Sequence, residues 1–238
     1  MNISPQPKER PILFSAPMVR AILDGRKTVT RRPVKVQPRS PADIGSYGKG
    51  QPFIRNPDVT KLNPECPFGK PGDRLWVRES GIYSKLLCPE DPTQPGTFRH
   101  DVPRTPELGD WWIQSTRAPG ASYSVSGNPR RVDKARGQKA VPSIHMPRWA
   151  CRILLEITDV RVERLQDISE EQALAEGIIP HVRGGWHWHL HDPSNIDDWH
   201  QFGFKSPAFA FQDLWIGTGG DWAANPWVWV VEFKRVQP

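Results

Sequence analysis

The stretch LDGRKTVTRR, residues 23–32, is the part of the chain that most constrains its fold. It follows a run with apolar residues at helical spacing, which predicts a helix with a buried face over residues 15–23. Gly25 is expected to end that helix in the left-handed conformation that glycine adopts without strain. From Thr28 the residues become β-branched, which predicts a strand through about Val34. Lys27 is therefore expected in a bend between a helix and a strand.

The same stretch gathers positive charge around two threonines. Its arginines are Arg26, Arg31 and Arg32. Like charges disfavour the protonated form of a lysine, so these arginines are expected to lower the pKa of Lys27. A neutral lysine near the Thr30 hydroxyl is a general base near a nucleophile. The same residues could instead grip a phosphate, and the pattern leaves both uses open.

The composition favours short elements and long loops. The chain has 238 residues, and 26 prolines and 19 glycines favour turns over long helices. A net charge of +6 favours a polyanionic partner, and solubility alone is the alternative explanation. The three cysteines are widely spaced, which argues against a disulfide framework and for a reducing cytoplasm. No apolar run is long enough to predict a membrane span, and the first residues lack the apolar stretch of a signal peptide.

Outside the opening stretch, the periodicity predicts further strands and two short helices. The strands are expected at residues 12–14, 74–79, 149–164 and 227–234, with hairpin arms near residues 111–113 and 123–125. One helix is expected to begin at the capping box SEEQ, residues 169–172, and to end at Gly177. The other is expected over residues 206–215.

This pattern predicts an α+β fold built on a small β-barrel flanked by short helices. Residues 1–238 are interpreted as a single domain. Three segments without clear periodicity are interpreted as long loop insertions, at residues 38–67, 84–142 and 180–204.

A histidine-rich segment within the third insertion is the main candidate for metal binding. His187, His189 and His191 alternate, which would put them on one face of a strand. No cysteine or glutamate joins them, so an aromatic loop packed beside the barrel is the preferred interpretation. Neither a metal nor another cofactor is predicted.

Residues 23–32 resemble the signature of the ASCH superfamily, whose members have PUA-like β-barrels. That signature is a helix followed by Gly-x-Lys-x-x-Thr/Glu-x-Arg. Three further segments are similar to the family: PGDRLWV at 71–77, the strand and acidic helix at 153–177, and the closing strand at 227–234. The chain as a whole resembles larger ASCH proteins of tailed bacteriophages and prophages, which are often labelled morphogenetic. The resemblance implies a PUA-like barrel, here enlarged by the insertions.

The resemblance also implies a catalytic set. Small bacterial members of the superfamily are amidohydrolases that remove the acyl group of acetylcytidine with a lysine, a threonine and a glutamate. By position these fall on Lys27, Thr30 and Glu176, with Glu170 and Glu171 left open as alternatives for the glutamate. The signature arginine falls on Arg32. A close Glu176 would raise the pKa of Lys27 and so oppose the arginines, and the sequence leaves the direction of the net shift open.

Two functions are therefore expected from the sequence. The first is hydrolysis of an amide on a modified nucleoside or base such as acetylcytidine, with Thr30 as nucleophile, Lys27 as base and Arg32 or a backbone amide stabilising the oxyanion. The second is a non-catalytic module that binds single-stranded RNA or DNA, in which the arginines contact phosphate and tryptophans such as Trp76 stack on bases. The expected location is the cytoplasm, of the host if the chain is encoded by a phage; protein partners remain open.

Overall fold

The computed structural model describes residues 6–84, 111–114, 139–190 and 202–237. These residues form an α+β fold with more sheet than helix. The helices are α1 (Ala16–Leu23), α2 (Glu170–Ala175) and α3 (Pro207–Gly217). The strands are β1 (Glu9–Leu13), β2 (Val29–Pro33), β3 (Ile44–Ser46), β4 (Pro52–Ile54), β5 (Arg74–Arg78), β6 (Gly81–Ser84), β7 (Trp111–Gln114), β8 (Lys139–Val141), β9 (Leu154–Arg164), β10 (Ile179–Pro180), β11 (Trp186–His187) and β12 (Trp227–Val236).

The main sheet has five strands in the order β1-β5-β9-β12-β2. At its β2 edge, β12 pairs antiparallel with β2, and Val231 lies opposite Thr30. A closed barrel is not among the strand pairings of the described residues, so the PUA-like barrel stays a prediction.

The two longest strands bury consecutive apolar residues, Leu154 and Leu155 in β9 and Trp227 through Val231 in β12, so both faces of the sheet are covered at these positions. Ile153, Leu155 and Ile157 are fully buried or nearly so, and so are Val228 and Val230. The expected strand at 149–164 is shorter than predicted: a 3-10 turn occupies Arg148–Ala150, and β9 begins at Leu154.

Short pairings occur in all three predicted insertions. The segment 38–67 contains an antiparallel hairpin of β3 and β4 rather than an unstructured loop. In the second, β7 and β8 both pair with β6, which ends at Ser84 where this insertion begins. In the third, β10 pairs with β11. The hairpin arm predicted at 123–125 lies outside the described residues.

The chain divides into two compact units. The first comprises Met1–Arg10, Ala21–Leu75 and Leu155–Arg235, and the second comprises Pro11–Arg20, Trp76–Leu154 and Val236–Pro238. The candidate residues of the opening stretch and Glu176 all belong to the first unit. The single domain of residues 1–238 remains a prediction.

The described cysteines, Cys66 and Cys151, are free and buried. Burial raises the pKa of the Cys66 thiol to about 11, which keeps it protonated and unreactive at neutral pH. Among the described residues, no helix combines the length and apolarity needed to cross a membrane.

Candidate functional site

The turn after α1 holds Lys27 in place. Gly25 has φ +74°, as predicted, and its amide donates to the Ile22 carbonyl. The amides of Arg26 and Lys27 both donate to the Ala21 carbonyl, at 2.9 and 3.0 Å. This is the hydrogen-bond pattern of a Schellman cap, which closes a helix and turns the chain away from it. Lys27 thus precedes β2 and lies in the bend, as the sequence predicted.

The end of α2 is brought to this turn by a second glycine. Gly177 has φ +102°, and a Cβ at this position would lie 3.0 Å from Ala21 Cβ and 3.3 Å from Lys27 Cβ. The Thr28 amide donates to the Ala175 carbonyl at 2.8 Å, which joins the two chain segments. A glycine is needed here for both its backbone conformation and its lack of a side chain. Glu176, the C-cap residue of α2, is consequently held beside Lys27.

Lys27 and Glu176 form a buried ion pair. The Lys27 Nζ donates to Glu176 Oε2 and also, at 3.0 Å, to the Glu176 backbone carbonyl. The two side chains are 2% and 3% exposed, so water screens the pair very little. The structure therefore brings together two residues that are 149 positions apart in the sequence. Glu170 and Glu171, left open as alternatives, lie in the first turn of α2.

The pKa of Lys27 is lowered, and burial is the largest cause. Desolvation disfavours the ammonium form, the Glu176 carboxylate opposes this effect, and Arg32 and Arg31 also lower the pKa. The sequence left the direction of this shift open, because it set the neighbouring arginines against a close Glu176. It credited any lowering to the arginines, whereas the main contribution comes from removal of the amine from water.

Thr30 and Arg32 share one face of β2, because alternate side chains of a strand point the same way. Thr30 is 3% exposed. Burial lowers the pKa of Arg32, and the nearby Glu176 carboxylate raises it. By the same alternation Arg31 lies on the opposite face of β2, and it is Arg31 whose guanidinium donates to the Glu176 carboxylate.

Arg31 is bound inside the protein. Its side chain is 0% exposed, and its guanidinium donates to Glu163, Gln172 and Glu176. Arg26 donates to the Gly177 carbonyl and to Asp24. Neither placement was expected for a residue that grips phosphate.

Trp76 belongs to a core cluster of the second unit. It is 7% exposed and packs with Met146, Ala150, Cys151 and Leu154. The Arg78 guanidinium lies over its ring, 4.6 Å from the ring centre. Base stacking needs an open aromatic face, so this placement favours a structural role for Trp76.

The histidine-rich segment contains a compact ring cluster. The His187 and His189 rings are 4.0 Å apart, and the His187 Nδ1 accepts from the Trp188 amide at 3.0 Å. Among the described residues, no group of three metal-ligating side chains is close enough to hold a metal ion. His191 lies outside the described residues.

Sequence reasoning missed three contributors to this site: Glu163, Gln172 and Gly177. Gln172 was identified only as part of a capping box and Gly177 only as a helix stop. The available signal was position: each lies within 13 residues of Glu176 along the chain.

Comparison of the chain with protein-family models, curated proteins and solved structures found no match.

Proposed function

We propose that this protein is an ASCH-type hydrolase that cleaves an amide on a modified nucleoside or base such as acetylcytidine. The observation that carries the proposal is the buried pair of Lys27 and Glu176. The pair lies at the turn that leads directly into Thr30. A lysine whose pKa is lowered by burial is suited to act as a base at neutral pH, which is the requirement for activating a hydroxyl.

The contacts of Lys27 fit the chemistry of a neutral amine. Such an amine has two N–H groups and one lone pair. A neutral Lys27 can donate these N–H groups to the Glu176 carboxylate and to the Glu176 carbonyl. In the proposed reaction the lone pair accepts the proton of the Thr30 hydroxyl as its oxygen attacks the amide carbonyl carbon.

The remaining steps follow from the same groups. Positive charge from Arg32 stabilises the oxyanion of the tetrahedral intermediate. The protonated Lys27 then returns its proton to the leaving amine as the C–N bond breaks, and Thr30 retains the acyl group as an ester. Water attacks that ester, with Lys27 again accepting a proton, and the carboxylic acid and free Thr30 hydroxyl are released.

The placements of the other candidate residues favour this function over the nucleic-acid-binding module. To contact phosphate, Arg31 would have to give up hydrogen bonds to Glu163, Gln172 and Glu176. Trp76 would have to leave a packed core. The binding module predicts affinity for single-stranded RNA or DNA that falls steeply with salt.

The test is hydrolysis of a panel of acylated nucleosides, beginning with acetylcytidine, followed by chromatography of the released nucleoside. We expect turnover by the unmodified protein and a loss of at least about 100-fold in kcat for Lys27→Ala and Thr30→Ala, as is typical when a base or nucleophile is removed. The matched control is Thr28→Ala, which removes the same hydroxyl from an exposed position two residues away. It should retain activity.

Two outcomes would reject the proposal. Absence of turnover across the panel would leave Lys27 and Glu176 as a structural ion pair. Equal activity of Thr30→Ala and Thr28→Ala would exclude Thr30 as the nucleophile.

A further inference from the structure

Arg31 connects three elements around Glu176. Its Nη1 donates to Glu176 Oε1 at 3.4 Å. Its Nη2 donates to Gln172 Oε1 at 2.8 Å and to Glu163 Oε2 at 3.2 Å. One guanidinium on β2 therefore holds a residue of β9 and two residues of the α2 segment.

The contact with Gln172 links Arg31 to the first turn of α2. Gln172 is the N3 residue of the capping box. Its Oε1 also accepts from the Ser169 backbone amide at 3.0 Å, and the Gln172 backbone amide donates to Ser169 Oγ. Because α2 has only six residues, isolated helix propensity contributes little to its order. The guanidinium contacts both its capping box and, at the opposite end, Glu176.

We propose that Arg31 is a positioning residue that orients the Glu176 carboxylate toward Lys27 by holding both ends of α2. The catalytic part of this inference rests on the proposed hydrolase function. Glu176 uses one carboxylate oxygen for Lys27 and the other for Arg31. Two donors on separate oxygens restrict rotation of the carboxylate, and this restriction determines where the Lys27 amine lies.

An arginine is required by this geometry. Its planar fork presents two Nη atoms to three acceptors, whereas a lysine presents its donors from one nitrogen on a flexible stem. Arg31→Lys keeps the positive charge but not the fork. That substitution therefore separates positioning from charge.

The experiment compares Arg31→Lys with Arg152→Lys in the full chain. Arg152 is a matched control, because its fork also binds a buried carboxylate, that of Glu79, with both bonds at 2.9 Å in the second unit. For Arg31→Lys we expect kcat on the best panel substrate to fall about 10-fold or more while KM stays within about 2-fold, the pattern of a lost transition-state interaction. Arg152→Lys should leave both constants unchanged.

A second readout does not depend on activity. The ε-carbon of Lys27 can be followed by NMR in protein labelled with ¹³C-lysine and assigned with Lys27→Met. If Arg31 holds Glu176 in place, Arg31→Lys weakens the contact that raises the pKa of Lys27, so this lysine should titrate at lower pH than in the unmodified protein. If Arg31 contributes charge alone, the titration stays where it was.

A rise in KM with kcat unchanged would assign Arg31 to substrate binding and overturn the inference. An unchanged Lys27 titration in Arg31→Lys would also overturn the inference. This readout remains decisive even if no substrate in the panel is turned over. Failure of the proposed function is thus distinguishable from failure of this inference.

Gln172→Met provides the test if Arg31→Lys does not fold. It removes the Oε1 that accepts from Arg31 and also half of the capping box. Ser169→Ala removes the other half of the box and leaves the Arg31 contact. We expect the Lys27 titration to shift in Gln172→Met and not in Ser169→Ala; equal behaviour of the two would reject the inference.

Discussion

Removing Glu176 from the buried ion pair is expected to lower the stability of the protein more than removing Lys27. Glu176→Gln removes the carboxylate that offsets the positive charge of three nearby side chains, those of Lys27, Arg31 and Arg32. Lys27→Met leaves Glu176 beside Arg31, which still donates to Oε1. The structure therefore predicts that loss of the carboxylate is the more damaging change.

The magnitudes follow from burial. Removing one partner of a buried pair costs about 3–5 kcal/mol, because a charge is left uncompensated. Because the pKa of Lys27 is already lowered, this lysine can lose its proton in Glu176→Gln, so we expect the lower end, about 3 kcal/mol. In Lys27→Met the methionine fills the volume of the lysine stem, and the expected cost is about 1 kcal/mol.

The assay is urea unfolding at pH 7 followed by tryptophan fluorescence, supported by thermal melts. A difference of about 2 kcal/mol corresponds to about 4–8 °C in Tm for a chain of this size. The matched control is Arg10→Met, which breaks the more exposed pair with Asp73. Equal losses for the two variants of the buried pair, or a larger loss for Lys27→Met, would refute the reasoning.

Four further outcomes are expected. Gly177→Ala should destabilise the protein by about 2–3 kcal/mol in urea unfolding, because φ +102° strains an alanine and its Cβ would lie 3.0 Å from Ala21 Cβ. Gly25→Ala meets nothing within 4 Å and should cost about 1 kcal/mol, so a Gly25 variant as unstable as the Gly177 variant would contradict the close approach. The difference in unfolding free energy between the unmodified protein and Lys27→Met should rise with pH between the lowered pKa of folded Lys27 and its ordinary value of 10.5. The reason is that the unfolded state binds more protons than the folded state in this pH range. A difference that falls with pH would show that the pKa of Lys27 is raised instead. Ser169→Ala should cost about 1 kcal/mol through loss of the capping box, as measured by thermal melts; no change in Tm would argue that the box does not stabilise α2.

Local sequence patterns were sufficient to predict the elements that carry the site. The left-handed Gly25, the position of Lys27 in the bend and β2 after it all follow from residue types within ten positions of one another. The capping box at Ser169 correctly predicted the start of α2, because its hydrogen bonds are local. Boundaries were less accurate where apolar residues continue beyond a strand, as at Trp149.

The partners of these elements depended on the path of the chain through space. Proximity of Glu176 to Lys27 was expected only from the family resemblance, and the folded chain achieves it through Gly177 and the cap of α1. For Arg31, the sequence suggested a contact with phosphate or a charge that lowers the pKa of Lys27. Its actual partners come from β9 and α2, which no local pattern connects to β2.

Residue types alone therefore established a helix, a turn and a strand that present a lysine and a threonine. Burial was decided by the tertiary structure, and burial sets the chemistry of the site. Desolvation depends on every group that surrounds the Lys27 amine, so the direction of its pKa shift could not be settled by counting the charges beside it in the sequence. For the same reason, a basic stretch that reads as a surface for anions forms a buried network around one carboxylate.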